Sequence, residues 1–233
     1  MRNNRKKISK MILNILTIAL TLSACYFFYR AYMEHKPFQN EKIKEEALQD
    51  TIAPKDQIPD DPLNRNIDFD SLKSINPDVI AWIYAPQIGV DAPIVKGKTD
   101  TYYLHHNFQK QYSILGSIFV YPDYSEKLDN PHICIFGHNM ISGQMFGQLK
   151  KYYDESFQKQ NPYMYTYTPE RSKKLQVSCV KRVHKTDVIY QNDWTDGTNL
   201  QSFTLSTCVG SRMRNYRTTV TAHVIKEKIK LTK

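Results

Sequence analysis

Cys208 is the cysteine whose position in the sequence best suits a nucleophile. It ends the β-type run 203–208 and precedes a glycine-containing loop, so a rigid strand would hold the thiol at an accessible edge. A nucleophilic cysteine needs this access together with a nearby positive charge that favours the thiolate. Cys134 and Cys179 lie inside strand-like runs, where simple packing is expected, and Cys25 lies in an apolar N-terminal stretch.

A histidine and an arginine could complete a thiol site around Cys208. His138 follows an apolar run and a glycine that lets the chain turn and present the imidazole outward. The chain holds seven histidines, and the residues alone do not exclude the other six as the partner of Cys208. Arg217 begins the run after the Cys208 loop, so an antiparallel return would bring its guanidinium level with the thiol, where it could stabilise an oxyanion. Arg212 and Arg214, in the loop itself, are alternatives.

Composition and charge exclude several function classes. With 41% hydrophobic and 12% aromatic residues, the chain is typical of a folded protein. Lys and Arg outnumber Asp and Glu by 32 to 23, but from residue 31 onward the balance is only 26 to 23, so no nucleic-acid partner is expected. The sequence has no Cys-x-x-Cys pair and no Glu-x-x-His spacing, and we expect no metal and no other cofactor.

The N-terminal cations precede an uncharged stretch, residues 11–29, that is long enough to cross a bilayer as a helix. Because positive residues stay on the cytoplasmic side, we predict a basic cytoplasmic segment at 1–10 and a transmembrane signal-anchor at 11–31. The rest of the chain would then be extracellular, held in the cell membrane by a single pass. The alternatives are a cleaved signal peptide, or a lipoprotein cut before Cys25 and lipidated on it.

Two regions follow the predicted anchor. Residues 32–66 are polar, acidic and proline-containing, which indicates a juxtamembrane stalk with a short helix over Glu41–Leu48. The folded domain is predicted at residues 67–233 and begins with a short helix that Asp68 or Asp70 caps and Asn76-Pro77 ends.

The folded domain is predicted to be mainly β, with one helical segment over residues 143–160. Its strands are short β-branched or aromatic runs bounded by turn residues, at 80–84, 114–120, 133–136, 175–183, 203–208 and 218–225. About 165 residues of such runs, with no room for a second core, predict one barrel or sandwich.

The chain resembles the sortases, the membrane-anchored cysteine transpeptidases of Gram-positive bacteria. Leu205-Ser206-Thr207-Cys208 followed by Arg217 is similar to the family's Leu-x-Thr-Cys strand end and its following arginine, and Gly137-His138-Asn139-Met140 is similar to its histidine motif. The resemblance covers about residues 67–226. Further motifs resemble class B: Phe69-Asp70-x-Leu72-x-x-Ile75-Asn76-Pro77-Asp78-Val79-Ile80-x-Trp82-Ile83, Tyr102-Tyr103-Leu104, Gly116-Ser117-Ile118-Phe119 and Met145-Phe146-Gly147-x-Leu149.

This resemblance implies an eight-stranded sortase-type β-barrel with flanking short helices, preceded by one transmembrane helix. It implies that His138, Cys208 and Arg217 meet at one end of a groove, as general acid and base, thiolate nucleophile and oxyanion contact. The further residues that it implies in substrate binding are Asn139, Ser206 and Thr207.

The implied partners are a surface protein that bears a C-terminal sorting motif, cleaved after threonine, and an amine acceptor from a peptidoglycan precursor or a pilin. A pilin-polymerising sortase, a wall-associated hydrolytic cysteine peptidase and a non-catalytic membrane-anchored binding module remain alternatives. The sequence departs from many class B members in one respect, because only Thr186 to Ser202 separate two predicted strands where those members carry a long helical insertion. We therefore expect a shorter groove wall.

Overall fold

A computed structural model of the protein describes residues 10–32, 51, 53, 58–191, 193–210 and 213–230. The chain divides into two units, residues 1–48 and 49–233. The first unit contains helix α1 (Lys10–Tyr32), which is long and apolar enough to cross a membrane and is compatible with a single-pass anchor. The predicted stalk helix over Glu41–Leu48 lies outside the described residues.

Eight strands form a closed barrel in the second unit. They are β1 (Val79–Ala85), β2 (Val90–Lys96), β3 (Ile118–Val120), β4 (His132–Phe136), β5 (Tyr163–Tyr167), β6 (Arg171–His184), β7 (Ser202–Cys208) and β8 (Tyr216–Ile229). Around the barrel their order is β1-β2-β3-β4-β7-β8-β6-β5. The pairs β2–β3 and β4–β7 are parallel and the others are antiparallel. The prediction of an eight-stranded, mainly β barrel is therefore confirmed.

The barrel interior is filled by alternate apolar side chains of the strands. Leu205 of β7 and Val220 of β8 are fully buried in this core. Because successive side chains of a strand point to opposite faces, Ser206 and Cys208 cannot share the inward direction of Leu205. Cys208 therefore belongs to the outer face of the barrel, at the end of β7.

A short α-helix lies just before the first barrel strand and matches its prediction closely. Helix α2 (Phe69–Ile75) begins after Asp68, whose carboxylate accepts a hydrogen bond from the Ser71 backbone N–H at 2.9 Å. Its last residue is Ile75, and Asn76 forms the C-cap in front of a proline that could not continue the helix.

The single helix predicted over residues 143–160 is wrong. The structure has a 3-10 turn at Leu149–Tyr153 and a separate helix α3 (Glu155–Gln160). Gly143 and Met145 have positive φ angles, which a right-handed helix cannot contain. Asp154 then leaves helical geometry and caps α3 with its side chain.

Strand prediction failed at two strands and overextended a third. Strand β2 contains Pro93, which normally argues against a strand, but Pro93 lies outside the short segment of β2 that pairs with β3, so that pairing loses no hydrogen bond. The tyrosine-rich strand β5 was also not predicted. The run 114–120 forms a strand only at Ile118–Val120, because Ser113 to Gly116 form a turn.

A buried ion pair fixes Arg65, near the end of the predicted stalk, to the barrel. The Arg65 guanidinium donates to both carboxylate oxygens of Asp91, at 2.6 and 3.1 Å, and its side chain is 1% exposed. Trp82 Nε1 donates to the same carboxylate at 2.6 Å. Strands β1 and β2 and the segment before α2 thereby share one charged contact.

Replacement of Arg65 by methionine leaves Asp91 without its cation in a site that water barely reaches. We expect the free energy of unfolding to fall by about 3–5 kcal/mol. Lys226→Ala is the matched control, because the Lys226–Asp61 contact is exposed and spans 4.0 Å, and it should cost less than about 0.5 kcal/mol. Urea unfolding followed by circular dichroism measures both, and equal losses would contradict the expectation.

Candidate active site

Cys208 and Arg217 lie directly opposite each other on the neighbouring strands β7 and β8. Opposed residues of an antiparallel pair place their side chains on the same face, with Cα atoms about 4.5–5.5 Å apart. Both residues are half-buried, so each is accessible yet held by a strand. Val209 N–H donates to the Tyr216 carbonyl at 3.2 Å, which continues the pairing one step beyond Cys208.

The segment that carries His138 is joined to the same end of the barrel. Strand β4 runs parallel to β7 with Phe136 beside Ser206, and Gly137 N–H continues this ladder by donating to the Ser206 carbonyl at 3.3 Å. Two side chains add to it. Thr207 Oγ1 donates to the Gly137 carbonyl, and Asn139 Nδ2 donates to the Cys208 carbonyl, both at 2.7 Å. His138 thus lies between two residues that are each bonded to the strand of the cysteine.

The imidazole of His138 is oriented by a backbone carbonyl. Its Nε2 lies 2.7 Å from the Leu104 oxygen, and because a carbonyl oxygen can only accept, Nε2 carries a hydrogen. Nδ1 is therefore the nitrogen left to exchange a proton. In the part of the chain that the structure describes, the Cys208 sulfur and the His138 ring form no direct hydrogen bond. The backbone thus brings the two residues to one edge, while the ring is bonded on its other side.

The Arg217 guanidinium contacts its own loop. Its Nη1 donates to the Arg214 carbonyl at 2.7 Å and to the Tyr216 carbonyl at 3.1 Å. Of the alternatives from the sequence, Arg214 is exposed and contributes this carbonyl, and Arg212 lies outside the described residues. Of the three arginines considered, Arg217 is the one that lies opposite Cys208 in the strand register.

The side chains predicted to bind substrate all have partners within the protein. Asn139 and Thr207 form the two hydrogen bonds to the backbone described above, and Ser206 Oγ lies 2.9 Å from the hydroxyl of Tyr190. Ser206 and Thr207 are buried, and Asn139 is half-buried. The contacts of these three side chains therefore join the segments around Cys208 to one another.

Aromatic residues that the sequence did not single out flank this edge of the barrel. The Phe136 ring lies 4.5 Å from the ring of Tyr121 and 6.0 Å from that of Tyr190. Burial raises the pKa of Tyr121 and of Tyr190 to about 12, and the nearby Arg217 charge opposes this rise at both phenols. Arg217 thus lies within electrostatic reach of both rings. No local motif marks these residues, because their contacts join distant chain segments.

The four cysteines are all unpaired, and they differ in environment. Cys134 is fully buried, as packing predicts, and burial raises its pKa to about 12, so its thiol stays protonated at neutral pH. Cys179 is half-buried in β6, and Cys25 is exposed on α1. Cys208 alone among them stands at a strand end beside an arginine.

Comparisons with known proteins agree on one family. The model of the Sortase domain matches residues 83–225. Sortase B of Listeria monocytogenes is 41% identical over 87 residues, 37% of this chain and 35% of that protein, so this match spans about a third of the relative. Sortase B of Staphylococcus aureus is 26% identical over 199 residues, 83% of this chain and 79% of that protein. The solved structure of Clostridium perfringens sortase B has a TM-score of 0.61 at 30% identity and covers 68% of this chain and 100% of its own.

Gly137 leaves no room for a side chain before His138. A Cβ at this position would lie 2.9 Å from Cδ2 of the buried Phe146 ring. We expect Gly137→Ala to lower the free energy of unfolding by about 1–3 kcal/mol, because the ring must move. Urea unfolding tests this against Ser142→Ala on the exposed loop, for which less than about 0.5 kcal/mol is expected. A loss for Gly137→Ala no larger than the control's would show that the ring yields freely.

The buried His132 makes the stability of the protein depend on pH. Burial lowers its pKa to about 4, although the hydrogen bond to Ile189 opposes this shift. The unfolded chain binds that proton near pH 6.5, so it holds more protons between about pH 6.5 and 4, and the free energy of unfolding falls as pH is lowered through that range. We expect His132→Gln to flatten this dependence in urea unfolding. Parallel pH profiles for the two proteins would contradict it.

Proposed function

The chain belongs to the sortase family, and we propose that it is a cysteine transpeptidase that cleaves a C-terminal sorting motif after threonine and transfers the acyl group to an amine. One observation carries the proposal. The register places Cys208 opposite Arg217, and hydrogen bonds join the His138 segment to the same strand end. Class B sortases are the relatives found, in line with the predicted resemblance.

In the first half of the reaction, the Cys208 thiolate attacks the carbonyl carbon of the threonine. An oxyanion forms, the C–N bond to the next residue breaks, and the acyl group remains on sulfur as a thioester. His138 gives its proton to the leaving amine. Since Nε2 is bonded to the Leu104 carbonyl, Nδ1 is the nitrogen that we assign to this proton transfer.

In the second half, an acceptor amine attacks the thioester. Its nitrogen bonds to the carbonyl carbon, His138 accepts the proton, and the C–S bond breaks to return Cys208 as thiolate. The acceptor that we propose is the amine of a peptidoglycan precursor. A pilin lysine would make the protein a pilin polymerase, and water would make it a peptidase, so the acceptor distinguishes these functions.

Arg217 is proposed to stabilise the oxyanion. Its guanidinium stays charged at any physiological pH and offers several donors in one plane. In the structure Nη1 is bonded to the Arg214 and Tyr216 carbonyls, which fixes the guanidinium through one of its terminal nitrogens. Preorganised donors of this kind stabilise negative charge as it develops in the transition state.

Asn139, Ser206 and Thr207 are proposed to serve the peptide groove chiefly by positioning. Asn139 and Thr207 tie the His138 segment to β7, and Ser206 ties β7 to Tyr190. These bonds hold the histidine and the cysteine at a fixed separation. Positioning of reacting groups is itself a large part of catalysis.

Membrane anchoring is proposed to place this site on the outer surface of the cell. Helix α1 follows a cluster of cations, and the positive-inside rule then keeps residues 1–10 in the cytoplasm, residues 11–31 in the membrane and the sortase catalytic domain, residues 67–233, outside. Residues 32–66 would form the stalk, whose last part is packed on the barrel through Arg65. A substrate tethered to the same membrane would meet the enzyme at a raised effective concentration.

We expect Cys208→Ala to abolish both cleavage and the acyl-enzyme adduct. The assay uses the full chain in detergent, a library of peptides with an invariant threonine, and a peptide amine, with intact mass spectrometry to detect the thioester. Arg217→Lys should lower kcat by about 10²–10³-fold, because a lysine cannot reproduce the planar donor set. Cys179→Ala is the matched control and should retain activity.

Hydrolysis alone, even at high amine concentration, would overturn the transpeptidase proposal in favour of a peptidase. Full activity of Cys208→Ala would show that the nucleophile lies elsewhere and would refute this catalytic site. A wild type that forms no adduct and cleaves no peptide would instead favour a binding module.

A further inference from the structure

A buried histidine outside the triad holds the β6–β7 connection, residues 185–201. His132 of β4 is fully buried, and both ring nitrogens have partners. Nε2 lies 3.0 Å from the Ile189 carbonyl, and Nδ1 lies 2.8 Å from Ser202 Oγ. Because the carbonyl can only accept, Nε2 carries the hydrogen, and Nδ1 accepts from the serine hydroxyl. The lowered pKa keeps this arrangement neutral at physiological pH.

Two further contacts converge on the same point of the connection. The Cys134 thiol donates to the Ile189 carbonyl at 3.3 Å, so this oxygen receives two hydrogen bonds from the outer face of β4. The Trp194 ring packs edge-on against His132, with centroids 4.5 Å apart. The connection is thus fastened to the barrel at both Ile189 and Trp194.

The residue after this anchor reaches the catalytic strand. Tyr190 places its hydroxyl 2.9 Å from Ser206 Oγ, and Ser206 lies two residues before Cys208. Its ring also lies beside Phe136, which precedes the His138 motif. One peptide bond therefore separates the buried anchor at Ile189 from a side chain that borders the proposed peptide groove.

We propose that His132 is a positioning residue of the transpeptidation site, which holds the Ile189 carbonyl so that Tyr190 forms the groove wall beside Cys208. The proposal rests on the proposed function. It acts through substrate binding, because His132 is buried under the connection and touches none of the three catalytic side chains in the contacts described.

The connection depends on this anchor because it has little structure of its own. Its regular element is the 3-10 turn Val188–Tyr190, and its described local backbone hydrogen bonds are few. If the anchor is lost, the connection can adopt other conformations, and only the fraction with Tyr190 in place binds peptide. The apparent affinity for the peptide falls by that fraction, whereas the chemical step in the bound complex is unchanged.

His132→Gln and His132→Asn are a matched pair that separates the two ring bonds. The longer glutamine amide can place a donor near the position of Nε2 and keep the bond to Ile189, whereas the shorter asparagine amide reaches only toward Ser202. In the full chain in detergent, with the best peptide from the library, we expect His132→Asn to raise KM about tenfold with kcat within about twofold. His132→Gln should remain within about threefold of wild type in both constants.

Hydrogen exchange gives a second readout that needs no catalysis. The Tyr190, Gln191 and Trp194 amides donate within the connection, and they should exchange at least about tenfold faster in His132→Asn than in His132→Gln. The rate of Cys208 alkylation should be the same in both variants, because the catalytic strand end is unaltered.

Three results would overturn the proposal: equal KM for the two variants, a loss confined to kcat, or equal exchange of the three amides. If both variants fail to fold, Tyr190→Phe decides, because it removes only the hydroxyl that meets Ser206 and should raise KM about two- to tenfold; an unchanged KM would refute the role.

If the wild type neither transfers nor hydrolyses any peptide, the proposed function fails, and the exchange comparison alone decides whether His132 anchors the connection.

Discussion

The parallel pairing of β4 with β7 is the constraint on which the candidate site depends. Parallel strands end at the same edge, so the residues that follow β4 and the last residue of β7 meet there although they are about seventy positions apart. The antiparallel partner β8 begins at that edge and returns Arg217 to the level of Cys208. A histidine just after β4, the last residue of β7 and the second residue of β8 are thereby brought together.

Hydrogen bonds from side chains to backbone carbonyls give this arrangement its rigidity. Residues 137 and 139 are bonded to β7 on either side of His138, and the imidazole is fixed by the Leu104 carbonyl from a third segment. The same device recurs at the β6–β7 connection, where a carbonyl group is held by side chains of β4. A barrel end offers no long helix whose N-terminus could orient charges, so individual donors and carbonyls take that part.

Much of the fold and the core of the site could be predicted from sequence, and the failures have physical reasons. The runs that became β4, β7 and β8 are rich in β-branched or aromatic residues and bounded by turns, and the short loop after Cys208 already indicates the pairing with Arg217. The orientation of His138 could not be predicted, because its carbonyl partner lies 34 residues away. The same holds for His132, which meets Ile189 across 57 residues. Proline in β2 and left-handed residues in the 143–160 run misled propensity rules that consider only neighbours.

The order of the strands around the barrel also bears on how the protein folds. Strand β8 is the last of the described strands in the chain, and it joins β6 to β7 to complete the closed sheet. Many of its pairings, and those of β1 with β5 and β4 with β7, link remote positions, a topology of high contact order that folds over milliseconds to seconds. Cys208 and Arg217 face each other only when β7 and β8 are paired. The cysteine therefore gains its cation only in the closed barrel, and a chain that has lost this pairing has also lost its thiol chemistry.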